Sequence, residues 1–275
     1  MKFIRKTVWL ATTLFGAQMA QSQFFVGGSV GIYSTVDNVS ITEKQAAGYN
    51  FKAGYVKKLY KNLGIGIGVE LAQYNHNLIG ENDFSASTYL VDEANSAFEY
   101  RVNTSGYQEK QVLTAFQIPV FVQYKKLINV GTHFYARAGA KYMLPLSFKT
   151  TATATRVAAS GYYPDFNLLV TDLPSRGFGV TNDYNQKGSY NTENIFLGSL
   201  EIGFSFKIAK KSTIYTGLFY DQALQSIIKN DSNNSFIGYN PSATTSRPLN
   251  GIYSANTNIE VKPRNFGVSL SYSFE

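Results

Sequence analysis

Apolar and polar side chains alternate with a period of two along eight stretches of the chain, each roughly ten residues long. The last stretch, residues 266–274, is the most regular, because its apolar residues from Phe266 to Phe274 are separated only by glycine and serine. Since successive side chains of a β-strand point to opposite faces, this pattern predicts a strand with one apolar face and one small or polar face. The other seven predicted strands are residues 24–34, 49–57, 63–73, 112–124, 133–143, 195–208 and 213–223.

The connections between these stretches alternate in length. The short connections are residues 59–62, 127–132 and 209–212, and the longer ones are residues 35–48, 76–111, 144–193 and 224–264. An even number of strands with short periplasmic turns and long extracellular loops is typical of β-barrels that span outer membranes. The pattern therefore predicts an all-β fold, an eight-stranded antiparallel transmembrane up-and-down β-barrel.

A soluble barrel of the lipocalin kind also alternates, and the two alternatives differ in which face is apolar. Eight strands leave an interior only wide enough for side chains to fill, and the non-apolar face of this chain carries glycine, serine and charge. The apolar face is bulky and has aromatic residues near both ends of the strands, as expected for girdles at the two membrane interfaces. We therefore expect the apolar face to meet lipid. The predicted girdle residues are Tyr49, Tyr55, Phe116, Tyr124, Phe134, Tyr142, Phe196, Phe206, Phe266 and Phe274.

Six charged residues fall on the face that is predicted to line the lumen: Lys52, Glu70, Arg137, Lys141, Glu201 and Asp221. Unpaired ions in a closed interior are costly, so we expect these side chains to form a salt-bridge network that plugs the barrel. The expected pairs lie on neighbouring strands, Lys52 with Glu70, and Arg137 and Lys141 with Glu201. Separate, water-solvated charges are the alternative. An open porin is not expected, because an aqueous channel needs ~16 strands.

The least regular predicted strand is residues 213–223. Tyr215 and Phe219 fall on the side that is otherwise polar, while Ile214, Leu218 and Tyr220 follow the apolar face.

The N-terminus has the pattern of a secretory signal peptide. Lys2, Arg5 and Lys6 precede an uncharged and mostly apolar stretch, and Ala20 and Ser22 supply the small residues of a cleavage site. The apolar stretch is shorter than the ~20 residues of a membrane-spanning helix. We therefore predict a cleaved signal peptide over residues 1–22 and a barrel domain over residues 23–275, located in the outer membrane of a Gram-negative envelope.

Composition adds little to this assignment. The hydrophobic content of 44% and the net charge of +7 describe a barrel with alternating faces as well as a soluble protein. The lysines concentrate in the short connections, where a solvated role is the ordinary explanation, and nucleic acid is not an expected partner. These lysines are Lys57, Lys58, Lys61, Lys125, Lys126, Lys207, Lys210 and Lys211.

Several segments resemble the PorT-like family of outer-membrane β-barrels, common in Bacteroidetes. They are the signal peptide ending before Gln23, the opening residues 24–28, the Phe116-Gln117-Ile118-Pro119-Val120 run and the closing strand. Pro119 is unusual within a strand because proline donates no ladder hydrogen bond. The chain departs from the aromatic ending that is frequent in such barrels, since Glu275 follows Phe274. The resemblance implies fold and location, and it does not establish a role in secretion.

The sequence contains little that suggests catalysis. Its two histidines, His76 and His133, are predicted at opposite ends of the barrel, with His76 in a loop. No catalytic, metal or cofactor site is expected. The acidic residues of the second long connection are expected to be solvated, although they offer oxygen ligands for divalent cations. They are Glu81, Asp83, Asp92, Glu93 and Glu99.

Two classes of function remain open. The first is a non-enzymatic barrel that acts through its extracellular loops or through contacts with envelope or surface proteins. The second is a lipid- or peptide-modifying barrel enzyme with a site at the extracellular rim. In both cases the expected partners include outer-membrane lipid and, during insertion, the barrel-assembly machinery.

Overall fold

The computed structural model describes residues 22–36, 42–44, 46–80, 83–229, 235–241, 247–255 and 259–274. The predicted signal peptide lies outside the described residues except for Ser22, which begins the first strand. Glu81 and Glu275 also lie outside them. None of the described segments forms a helix that is long and apolar enough to cross a membrane.

The described residues form thirteen β-strands and three short 3₁₀ helices. The strands are β1 Ser22–Val36, β2 Thr42–Lys44, β3 Ala46–Tyr60, β4 Leu63–Ile79, β5 Phe84–Val91, β6 Ala97–Ser105, β7 Gln108–Asn129, β8 Thr132–Tyr163, β9 Leu168–Val170, β10 Gly179–Ser189, β11 Ile195–Ala209, β12 Ser212–Ala223 and β13 Lys262–Phe274. The 3₁₀ helices are Pro164–Phe166, Pro174–Arg176 and Ile252–Ser254.

Eight of these strands close into a ring. The order around the ring is β1, β3, β4, β7, β8, β11, β12 and β13, every pair is antiparallel, and β13 pairs with β1 to complete the circle. Each ring strand contains one of the eight stretches that the alternating pattern predicts. The predicted eight-stranded antiparallel barrel is therefore confirmed.

The long connections contain more regular structure than expected. β2 lies in the first, β5 and β6 lie in the second, and β9 and β10 lie in the third. β4, β7 and β8 also continue far beyond their predicted ends, and β8 alone is 32 residues long. β6, β9 and β10 all pair with the extended part of β8. Much of the second and third long connections is thus a curved sheet that continues from the barrel wall.

The polarity of the two faces reverses along these extended strands. Leu71, Phe116 and Leu144 are register partners and are the last residues of the outward apolar pattern on β4, β7 and β8. The next outward row is polar and consists of Gln73, Thr114 and Ser147. On β8 a one-residue shift in register separates the two rows and leaves Leu146 as an extra, exposed residue.

Beyond this row the apolar side chains point inward. We call the described residues of 73–114, 147–194 and 224–261 the cap, and the rest of the ring strands the barrel. The described residues of the 224–261 connection run inside the curved sheet, where Phe236 and Ile252 are fully buried together with Phe98 of β6 and Phe178, which precedes β10. The main apolar core of the molecule therefore lies in the cap.

Candidate functional site

All six charged residues predicted for the lumen point into the barrel. Each is at least nine-tenths buried. The ion pairs in which they take part fall into two clusters, one around Glu201 and one around Lys141.

The first cluster surrounds the carboxylate of Glu201. Lys52 donates from Nζ to Oε2 at 3.0 Å, and Arg137 Nη1 lies 3.5 Å from Oε1. The hydroxyls of Tyr135 and Ser269 also donate to Oε1, at 2.6 and 2.8 Å. The charge of Glu201 is thus compensated by two cations and two neutral donors, which is what a buried carboxylate requires.

The second cluster surrounds the ammonium of Lys141. Its Nζ lies 2.8 Å from Glu70 Oε2 and 2.8 Å from Asp221 Oδ2. The predicted pairing of Arg137 with Glu201 is confirmed. The other two predicted pairs are wrong, because Lys52 contacts Glu201 and Lys141 contacts Glu70 and Asp221. Although Lys52 and Glu70 are register partners, inward side chains converge on the axis of a narrow barrel. A partner across the lumen is then as near as one on the adjacent strand.

Aromatic side chains fill the part of the lumen between these clusters and the short turns. The alternating pattern predicted only some of them. The guanidinium carbon of Arg137 lies 4.9 to 5.3 Å from four ring centroids, an arrangement that favours a cation. The four rings belong to Phe25, Phe121, Tyr135 and Tyr215. Tyr215 and Phe219, which break the pattern of β12, are buried in the lumen. Aromatic rings therefore fill the lumen together with the small and charged residues that were expected to plug it.

Glycine on the facing strands makes room for these rings. A Cβ atom at Gly66 would lie 2.3 Å from Cζ of Phe121, so a larger residue there would displace the ring. The remaining cavity between the two charge clusters has a volume of about 30 Å³. That is room for roughly two water molecules. Side chains thus occupy most of the interior at this level.

The outer surface of the barrel is apolar. Ile67 and Val120, register partners near the middle of the wall, are 53% and 46% exposed. The ten predicted girdle residues all lie on this outward face, five near the short turns and five near the cap. Tyr142 and Phe196 are one contact pair of the upper set, with ring centroids 5.1 Å apart. Closed strands with a wide apolar belt leave no unpaired backbone at the belt and fit a bilayer. The protein is an outer-membrane β-barrel. Its short turns are periplasmic and its cap is extracellular.

Solved structures that are similar to this chain include the outer membrane protein OprG from Pseudomonas aeruginosa. It has a TM-score of 0.40 and 12% identity, with 92% of this chain and 96% of that chain covered. Neisserial surface protein A has a TM-score of 0.37 and 8% identity, with 90% and 95% covered. Ail of Yersinia pestis, in complex with the heparin analogue sucrose octasulfate, has a TM-score of 0.35 and 10% identity, with 92% and 99% covered. No protein-family model and no curated protein match the chain.

The cap of this outer-membrane barrel contains a buried carboxylate that the sequence analysis missed. Glu109, on the extended part of β7, is 1% exposed. It accepts hydrogen bonds from the hydroxyls of Tyr107 (2.6 Å) and Tyr190 (2.5 Å), from Gln111 Nε2 (2.9 Å) and from the backbone N–H of Ile252 (2.8 Å). Burial and the nearby carboxylate raise the pKa of both tyrosines well above the usual range. Glu109 therefore ties the 224–261 connection to the wall of the cap.

His76 belongs to the same buried layer. It lies in β4 rather than in a loop, is 1% exposed and has Nδ1 3.4 Å from Gln111 Oε1. The signal for this layer was present in the sequence, because Ala72, Tyr74 and Leu78 continue the alternation of β4 with the opposite phase. His133 lies near the start of β8, at the periplasmic end.

Of the acidic residues of the second long connection, Asp83, Asp92 and Glu99 make hydrogen bonds or ion pairs within the cap. Asp92 Oδ1 accepts the backbone N–H groups of Ala94 and Ser96, and Oδ2 lies 3.2 Å from Arg176. These hydrogen bonds lower the pKa of Asp92. Within the described residues, no group of three His, Cys, Asp or Glu side chains is placed to hold a metal ion.

One outward face of the cap carries several exposed apolar and aromatic side chains. Tyr89, Glu99, Tyr162 and Leu169 form one row across β5, β6, β8 and β9. Tyr89 is 72% exposed and Leu169 is 50% exposed. Arg101 pairs with Glu99 and stacks over the Tyr162 ring, with its guanidinium carbon 4.6 Å from the centroid. We call this set, with Val91, the cap face.

Proposed function

We propose that this outer-membrane barrel is a non-enzymatic protein that binds an envelope or surface partner through the cap face. The observation that carries the proposal is the exposure of Tyr89, Val91 and Leu169 on the outward face of the cap sheet, beyond the apolar belt of the barrel. Exposed apolar groups of this kind mark interaction sites on soluble surfaces. Tyrosine and arginine are also the residues that most often dominate binding energy at protein interfaces.

The rigidity of the cap supports this assignment. The opposite face of β5 packs on the core through Phe84, Ala86 and Leu90, and Asp92 links the β5–β6 turn to Arg176 in the β9–β10 connection. A surface that is ordered before binding loses little conformational entropy on association. The cap therefore offers a preorganised surface rather than a set of mobile loops.

Site-specific photo-cross-linking on living cells tests the binding surface. A photoreactive phenylalanine analogue at Tyr89 or Leu169 is expected to give a cross-linked product. The same analogue at Asn185, which is exposed on β10, is the control and is expected to give none. Equal labelling at all three positions, or none at Tyr89 and Leu169, would contradict the proposal.

The charge clusters support a lumen that does not conduct. Lys141 and Glu201 bind partners from several strands of the barrel, and the cavity between the two clusters has a volume of about 30 Å³. Purified protein in a planar lipid bilayer is expected to give no steady channel current in molar potassium chloride. Stable open-channel currents would instead assign the protein to channels.

We also propose that the chain belongs to the PorT-like family and that the barrel-assembly machinery inserts it. The placement of Pro119 supports the first part, because the β4–β7 ladder has pairs at Val120 and Gln117 but none between them. Proline removes one ladder donor at this point. In an alignment of homologues, the family assignment requires this proline to recur at the same position of the fourth ring strand.

A further inference from the structure

The three short turns between ring strands lie together at the periplasmic end of the barrel. The turns β3–β4, β7–β8 and β11–β12 each contain two or three lysines, and none of the segments 56–64, 123–133 and 205–214 contains Asp or Glu. The ring order places all three turns on one rim. The rim therefore concentrates positive charge that the sequence spreads over three short connections.

The same three turns also share an unusual backbone feature. In each, the strand register shifts by one residue just before the turn, and the extra residue is Leu59, Ile128 or Ile208. These residues are 62%, 58% and 57% exposed. A β-bulge re-aims a side chain at the end of a strand. Each of the three bulges thus presents one aliphatic residue at the periplasmic rim.

The lysines follow the lower aromatic girdle at short intervals on the lipid-facing side. Lys57 comes two residues after Tyr55, and Lys126 comes two residues after Tyr124. With a rise of about 3.3 Å per residue and a tilt of roughly 40°, this spacing places the lysine about 5 Å beyond the ring. That is the level of lipid phosphates, since girdle aromatics sit at the headgroup boundary.

We propose that the periplasmic rim is an interfacial anchor that binds anionic phospholipid headgroups of the inner leaflet. The ammonium groups of Lys57 and Lys126 lie at the level of the phosphates, where long basic side chains contact anionic headgroups. Leu59, Ile128 and Ile208 follow nearer the turns, and the bulges direct their side chains toward the headgroup layer. Apolar and basic groups together fit a lipid surface better than an acidic protein, because a protein partner would leave the aliphatic residues facing water between contacts.

The test compares two variants of equal charge change in the full-length protein. The rim variant replaces Lys58, Lys61, Lys126 and Lys210 by Gln, and the control replaces the exposed cap residues Lys110, Arg156, Lys187 and Lys229 by Gln. Both are purified from outer membranes and transferred into phosphatidylcholine bilayers. Electron spin resonance then measures the association of spin-labelled phosphatidylglycerol relative to spin-labelled phosphatidylcholine. Heat-modifiable mobility on gels establishes that each variant is folded.

Wild-type protein and the cap control are expected to prefer phosphatidylglycerol by at least about threefold, and 0.5 M salt should reduce this preference strongly. The rim variant is expected to show little preference, within about 1.5-fold of unity. Absence of a preference in the wild-type protein overturns the proposal without any variant. A rim variant that keeps its lipid preference but loses a cross-link to an acidic periplasmic protein overturns it in favour of a protein partner.

A second measurement tests the aliphatic part of the anchor. The sequence has one tryptophan, Trp9, within the predicted signal peptide, so an Ile128→Trp variant adds a distinct fluorophore at the rim. Its fluorescence is expected to be quenched by lipids brominated near the headgroup, with the wild-type protein as background. Full quenching by aqueous iodide with no effect of brominated lipid would place Ile128 in water and refute insertion.

Discussion

The barrel and the cap share three continuous strands but carry their apolar side chains on opposite faces. In the barrel, β4, β7 and β8 present Leu71, Phe116 and Leu144 outward and hold glycine and charge inside. In the cap, the same strands turn polar residues outward and bury Leu78, Leu113 and Val157. The comparison shows that surroundings decide which face is apolar. The apolar side chains of the barrel point outward because they contact lipid. Those of the cap point inward because the cap is surrounded by water and must bury its apolar core.

The largest expected effect comes from breaking a lumen cluster in the barrel. Replacement of Lys141 by Met leaves Glu70 and Asp221 buried without their cation, which is expected to lower the free energy of unfolding by about 3–5 kcal/mol. Urea unfolding in lipid vesicles measures the change. Lys149→Met on the polar outer face of the same strand is the control, with an expected change within about 0.5 kcal/mol. Similar losses for both variants would show that the cluster does not stabilise the barrel.

The second prediction tests where the polarity reverses. Val120→Arg places a charge on the lipid face near the middle of the wall and is expected to cost about 2–4 kcal/mol. Thr153→Arg places the same charge on the outward face of the cap, where the cost is expected to be close to zero. Unfolding of both variants in the same vesicles gives the comparison. A substantial loss of unfolding free energy in Thr153→Arg would show that the lipid boundary lies beyond Thr153, nearer the C-terminal end of β8.

The third prediction concerns alkaline pH and the core of the cap. Burial raises the pKa of Tyr100 to about 12, and the pKa values of Tyr107, Tyr184 and Tyr190 are also raised. Unfolded tyrosine releases its proton near pH 10 while the folded groups keep theirs, so stability is complete below about pH 10 and falls above it. Each tyrosine contributes up to about 1.4 kcal/mol per pH unit in this range.

Limited proteolysis of the cap, followed alongside phenolate absorbance between pH 9 and 12, measures this effect. Exposed tyrosines ionise near pH 10 in the folded protein, so the signal of interest is the difference in phenolate absorbance between the wild-type protein and Tyr100→Phe. This difference is expected to appear together with cleavage, and Tyr100→Phe is expected to shift cleavage to higher pH. A difference that appears at pH 10 while the cap remains resistant would contradict the burial of Tyr100.

The smallest expected effect is local to one turn of the cap. Asp92→Ala removes the acceptor for the N–H groups of Ala94 and Ser96. Hydrogen exchange of these two amides is expected to accelerate, while amides in the barrel strands stay unchanged. Unchanged exchange at Ala94 and Ser96 would show that the turn holds without the carboxylate.

The sequence was sufficient to predict the ring, because alternation such as that of residues 266–274 keeps one phase across the whole bilayer. It also identified the lumen charges, since all six charged residues fall on the face of their strands that is opposite the apolar face. The pairing could not be predicted, because Lys52 reaches Glu201 only through the closed geometry of the barrel. The cap was missed for a different reason. At Ala72 and Gln73 the alternation of β4 changes phase, so the two halves of this continuous strand do not form one alternating pattern in the sequence.

The length of β8 has a mechanical consequence. Its 32 residues extend for roughly 100 Å at a rise of about 3.3 Å per residue. It is hydrogen-bonded along one edge to β7 and β6 and along the other to β11, β10 and β9. Tension applied by a partner at the tip of the cap would therefore run along the strand axis and load both ladders in shear. The hydrogen bonds would share the force together instead of opening one at a time.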